Sequence, residues 1–145
     1  MEVVFYVLPT ETPGPRLEFA CKLIEKIFRG GQHCFALVDD AQQAAALDTL
    51  LWTFRAGSFV PHQIYQGVLP LLPQTILIGY GGIPEGRRNI IINLSLGLPP
   101  HDAGAERIVE IIDNSAGSKQ AGRERYRYYQ QLGVDVVTHN RERSP

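Results

Sequence analysis

The chain has no apolar run approaching the roughly 20 residues that cross a bilayer, so a membrane-spanning role is not expected. It opens on Val3-Val4-Phe5-Tyr6-Val7-Leu8 without the basic start and cleavage site of a secretory signal. Cysteine is scarce: Cys21 and Cys34 each sit inside an apolar periodic segment and form no CxxC pair. Two reduced core thiols in a cytoplasmic protein are the expectation. Excess charge of either sign is lacking too, because the formal net charge is −1. Any electrostatic role must therefore come from local clustering and not from the molecule as a whole.

The signatures of catalysis are equally scarce. The turn from Pro9 to Arg16 has no GxxxxGK[ST], so no phosphate-cradling loop follows the first strand. Gly79, Gly81, Gly82 and Gly86 miss the GxGxxG spacing, since Pro84 stands at the third position. That segment also leads into a strand and not into a helix N-terminus, and a mobile connecting loop is expected there. Asp39-Asp40 lie where ribose-binding acids occur in dinucleotide folds, but without a glycine fingerprint helix capping is the expectation. His33, His62, His101 and His139 are scattered singly, with no metal-ligand spacing. Ser58, Ser95 and Ser115 lack a GxSxG elbow. No catalytic residue, metal or cofactor is expected.

What is present is an alternation of strand-like and helix-like runs. At 145 residues, 44% of them hydrophobic, the chain suits one domain over 1–140 with a polar tail at 141–145. Strands are expected at Val3–Leu8, Cys34–Val38, Thr75–Ile78, Asn89–Leu94, Ile108–Ile112 and Val134–Thr138. Helices fit from about Arg16 to Phe28, from the Asp40 cap to about Phe54, and from about Ser115 to Leu132. Gly30-Gly31 and Gly133 end the first and last helices. Residues 55–73 show no clear period. Strands apolar throughout, separated by helices, predict an α/β fold with a mainly parallel sheet covered on both faces, Rossmann-like but without a nucleotide site.

Two segments stand apart. The last helix carries Lys119, Arg123, Arg125 and Arg127 against the single acid Glu124, too few acids for i,i+4 pairing to absorb the cations. At about 100° per residue, Ala121, Tyr128 and Leu132 form the expected core stripe. Lys119, Arg123, Tyr126, Arg127 and Gln130 share the opposite side, with Arg125 near the core as a structural residue. Fixed cations with an aromatic among them, near the apolar strand end Ile111-Ile112, suit a peptide with acidic residues and a terminal carboxylate. In the second helix Trp52 lies off the buried stripe of Ala44, Leu47, Leu50, Leu51 and Phe54. With Phe59 it forms a candidate apolar partner surface.

At these residues the sequence resembles the chi subunit of bacterial DNA polymerase III, an accessory protein of the clamp-loader complex. The resemblance rests on Phe5-Tyr6-Val7-Leu8, on Leu50-Leu51-Trp52 leading into Ser58-Phe59-Val60-Pro61-His62, on Arg87-Arg88-Asn89 through Leu94, and on Arg123-Glu124-Arg125-Tyr126-Arg127. It implies a nucleotide-binding-like fold that holds no nucleotide, and a non-enzymatic adaptor of the cytoplasmic replisome that reaches DNA only indirectly. Two partners are implied. The psi subunit would dock on Trp52, Phe59, Val60, Pro61 and His62. The acidic C-terminal tail of single-stranded DNA-binding protein would lie on Lys119, Arg123, Tyr126 and Arg127, with Ile112 as the apolar wall. Arg127 replaces an expected lysine, and Gln63–Gln74 is more apolar and less glycine-rich than the family pattern. The rival expectation is a nucleotide-binding enzyme on the same fold.

Overall fold

The computed structural model describes residues 1–99 and 105–140, so His101 and the tail at 141–145 lie outside the described residues. The elements run β1 (Glu2–Val7), α1 (Pro13–Arg29), β2 (Phe35–Leu37), α2 (Ala41–Thr53), β3 (His62–Ile64), β4 (Ile76–Gly79), β5 (Ile90–Asn93), β6 (Arg107–Ile112), α3 (Ala116–Leu132) and β7 (Asp135–Asn140). They build one seven-stranded sheet in the order β3-β4-β2-β5-β6-β1-β7. Every strand pairing in it is parallel.

The central strands β2, β4 and β5 are buried along their whole length because both faces are covered. On one face α1 and α2 press Ala20, Cys21, Ile24, Ala44, Leu47 and Leu51 onto Ala36, Ile78 and Ile92. On the other, α3 presses Tyr129 onto Phe5, Phe35, Leu77 and Ile91. Each fully buried Ile or Phe contributes about 1.5–3 kcal/mol relative to exposure. The two cores are thus the main stabilising term for the layers.

Local chemistry explains the helix ends. Asp40 caps α2 by accepting from the Gln43 N–H at 2.9 Å, and Gln43 Oε1 accepts in return from the Asp39 N–H at 2.7 Å. Past α1, Gly31 has φ 81°, and the N–H groups of Gly31 and Gln32 donate to Phe28 and Ile27 at 3.0 and 3.1 Å. Gly133 ends α3 with φ 75°.

Four expectations need correction. The first helix starts at Pro13 and not near Arg16, because prolines fit the first turn, where no N–H is needed. Residues 55–73 do contain a strand, β3, a half-buried edge whose neighbours tie Ile76 N–H to the Pro61 carbonyl at 2.9 Å. The glycine segment after β4 is not free: Ile83 is buried, and Arg88 donates twice to its carbonyl at 3.0 and 3.1 Å. In α3 the buried stripe is Ser118, Gly122, Arg125 and Tyr129. Ala121 and Tyr128 are only half-buried, and Leu132 is 44% exposed. An apolar count favoured Tyr128 over its neighbour, but the core side of this helix is built from small and polar groups.

Candidate protein-binding surfaces

The rotation of α3 is set by a buried polar cluster. Glu110, in the middle of the apolar strand β6, is 0% exposed and accepts from Arg125 Nε at 2.9 Å and from the Tyr129 hydroxyl at 2.8 Å. Asn93 Nδ2, at the end of β5, donates to both carboxylate oxygens at 3.0 and 3.1 Å. Arg125 also donates to the Leu96 carbonyl at 3.0 Å. Burial pushes the Glu110 carboxyl above its ordinary range, while the Arg125 charge and the donated hydrogen bonds pull it back. The Tyr129 hydroxyl is pushed up by burial and by the adjacent carboxylate. Sequence reading placed Arg125 near the core as a structural residue, as observed, but missed its partners Glu110, Asn93 and Tyr129. The signal was a lone carboxylate within Ile108–Ile112, since a buried acid requires partners.

Close packing reinforces it. A Cβ on Gly122 would come within 2.8 Å of Ile112 Cδ1 and 3.0 Å of its Cγ2, so glycine lets the β6 end seat close under the helix without displacing the Ile112 side chain. Ile112 is therefore 8% exposed. It lies beneath α3 and does not form an open wall. Tyr126 is half-buried and meets Phe5 edge-on at 5.4 Å, so its ring belongs partly to the core.

With Arg125 and Tyr129 turned inward, Lys119, Arg123 and Arg127 face solvent along one side of α3. Gln120 takes up Glu124, donating to its carboxylate at 3.1 Å. None of these three cations pairs with a carboxylate among the described residues. A row of cations with their donors unspent is thus fixed beside Tyr126 on a rigid helix.

The second surface lies at the β3 edge of the sheet, by α2. Trp52 and Phe59 are 56% and 67% exposed, and their rings meet at 6.0 Å. The His62 ring lies 4.7 Å from the Trp52 ring with its side chain fully covered. Its Nδ1 and Nε2 lie 2.7 and 3.2 Å from the carbonyls of Val60 and Asp48. Val60 is 2% exposed and enters the core. Of the five residues expected at this surface, Trp52 and Phe59 present themselves, Pro61 is half-buried, and Val60 and His62 support from below. The loop is held by Glu25 of α1, which accepts from Ser58 Oγ and pairs with Arg55. These partners, Ser58 first, hold the Glu25 carboxyl below its ordinary range.

At the carboxyl ends of the strands, Asp39 accepts from the Leu96 N–H at 2.8 Å, and Asn93 Nδ2 donates to the Gly97 carbonyl at 3.1 Å. Arg16 Nε donates to the Ile111 carbonyl at 2.7 Å. The two acids at the end of β2 are occupied by the chain itself. Among the described residues no group of three or more His, Cys, Asp or Glu is placed to hold a metal ion. No helix among them is long and apolar enough to cross a membrane.

Comparison with solved structures finds a chain from the crystal structure of T4 UvsW at a TM-score of 0.64 and 12% identity, covering 97% of this chain and 41% of that one. This is a likeness of fold. Curated relatives give more. The DNA polymerase III subunit chi of Pseudomonas aeruginosa is 32% identical over 137 residues, 94% of each chain. That of Haemophilus influenzae is 28% identical over 137 residues, again 94% of each. The Escherichia coli K12 subunit is 28% identical over 142 residues, covering 92% of this chain and 94% of its own. The family described as DNA polymerase III chi subunit, HolC, matches residues 1–137. A whole-chain match, on a parallel sheet with both faces covered, identifies the chain as a member of the DNA polymerase III chi subunit family.

Proposed function

We propose that the chain is a non-enzymatic adaptor of the cytoplasmic bacterial replisome. It links the clamp loader, through the psi subunit, to the acidic C-terminal tail of single-stranded DNA-binding protein. The observation that carries this reading is the row Lys119, Arg123 and Arg127 on the solvent face of α3, unpaired among the described residues. Acidic residues of the tail pair with these cations. Its terminal aromatic side chain packs against the exposed part of Tyr126, with Ile112 beneath as support. Arg127 offers a planar fork for a carboxylate where a lysine would offer a point charge. The Trp52–Phe59 pair receives the psi subunit, and DNA is reached only through the bound partner.

Exposed ion pairs contribute about 0.2–1 kcal/mol each, so tail affinity is modest and falls with salt. Titrating a tail peptide into wild type and Arg123→Ala at low and high ionic strength tests the reading. Expected are weaker binding by the variant and a further loss when the peptide lacks its last residue. Equal binding of the full and shortened peptides would sink the assignment of Tyr126 and Ile112.

A further inference from the structure

Between Arg55 and Glu85 the sequence contains no Asp, Glu, Lys or Arg, although much of that stretch is at the surface. In the loop after β3, Val68 is 72% exposed, Leu69 53%, Leu71 100% and Leu72 65%. The loop is held in place, with the Val68 carbonyl accepting from Gln63 Nε2 at 3.3 Å and the Leu72 carbonyl from the Thr75 N–H at 3.2 Å. Leu72 and Pro73, with Phe28, Pro61 and Thr75, line a cavity of about 410 Å³. Pro61 joins the two regions: it walls this cavity and stands two residues after Phe59.

Area decides what this surface needs. Trp52 and Phe59 together expose on the order of 300 Å², no more than the largest apolar patch of an ordinary monomer. A specific interface takes roughly 800 Å² from each partner. The four aliphatic side chains add on the order of 500 Å², which brings the combined surface to that size. Charge decides what covers it. The loop brings no cation of its own, and Arg55 beside Phe59 is already paired with Glu25, so the surface offers little to an acidic tail or to a phosphate backbone, and its occupant must bring an uncharged apolar face.

We infer that the Val68–Leu72 loop and the cavity beside Pro61 are the second half of the Trp52–Phe59 docking surface. One partner, the psi subunit, covers both halves with an apolar face and places a side chain in the cavity. The inference rests on the psi reading given above and extends it to a loop more apolar than the family pattern.

The test is affinity between the full-length chain and the psi subunit from the same genome, for wild type, Phe59→Ala, Leu71→Asp and Leu72→Asp. Leu71 is fully exposed, so Leu71→Asp leaves the core untouched, and an unchanged thermal midpoint verifies this. Both loop variants, like Phe59→Ala, are expected to weaken psi binding by roughly tenfold or more, while binding of the tail peptide stays at the wild-type value. Loss with Phe59→Ala alone would overturn the extension and leave the psi reading standing. Absence of psi binding by the wild type would overturn both. If sedimentation shows a homodimer that Leu71→Asp dissociates without changing psi affinity, the loop serves a second copy of the chain and the inference fails.

Discussion

Arg125 of α3 donates to Glu110 of β6 at 2.9 Å, with the two side chains only 5% and 0% exposed. This contact fixes which side of the helix meets water, and therefore where Lys119, Arg123 and Arg127 stand. Removing one partner leaves an uncompensated charge in the interior, which costs about 3–5 kcal/mol. Arg125→Met is expected to lower the urea midpoint accordingly, and Arg125→Met/Glu110→Leu to recover most of the loss. A double variant no more stable than Arg125→Met would show that the remaining partners, Asn93 and Tyr129, already satisfy Glu110.

Gly122 makes a finer prediction. Ordinarily Gly→Ala in a helix gains about 1 kcal/mol, but overpacking a filled site costs about 1–3 kcal/mol. The added methyl would meet Ile112 at two carbons, so Gly122→Ala is expected to be destabilising. Ile112→Val removes the nearer of those carbons, Cδ1. The pair of substitutions should therefore be less damaging than the sum of the singles in a denaturation cycle.

Acid should loosen the loop that carries Phe59. The native Glu25 carboxyl titrates below its ordinary range, chiefly through Ser58, with burial opposing and Arg55 assisting. Its stabilisation is therefore fully present above the unfolded value of about 4.3 and is lost as pH falls through the lower native value. Ser58→Ala moves the native value upward. The variant should lose less stability than wild type between pH 5 and the acid limit, measured by urea denaturation at each pH. Parallel wild-type and variant curves would show that Ser58 does not tune Glu25.

Both thiols should be silent in the native protein. Cys21 and Cys34 are fully buried, and burial pushes each thiol up to about 12. A thiol-specific reagent at neutral pH is expected to label neither cysteine until denaturant is added, and then both. Rapid labelling of native protein would indicate that α1 or β2 opens readily.

The sequence made those parts of the molecule legible where a single local rule dominates. Continuous apolar runs marked β4 and β5, and Asp40 and Gly133 marked helix ends because capping depends on a few adjacent residues. Trp52 was visible as an aromatic off the periodic stripe, and Phe59 as a second one in the aperiodic segment that follows; their rings meet. What stayed hidden depends on distant partners. Asn93, Glu110, Arg125 and Tyr129 meet only after three elements pack, and their cluster turns α3 away from the orientation its apolar residues suggest. Edge strand β3 escaped notice because His62, Gln63 and Ile64 are all half-buried and show no alternation.

The strand order places β3 and β7 at opposite edges of the sheet, with α2 and α3 on opposite faces. Tension between the Trp52–Phe59 patch and the α3 cations would run across the strands, not along them. Load in that direction meets the hydrogen bonds one rung at a time instead of shearing many together. The pairing of β3 with β4 spans three residues, as do the pairings of β2, but β2 is buried between neighbours whereas β3 is a half-buried edge. Under such a pull the chain would yield first at the β3 edge, where Phe59 and the apolar loop are anchored, while the α3 side keeps its shape.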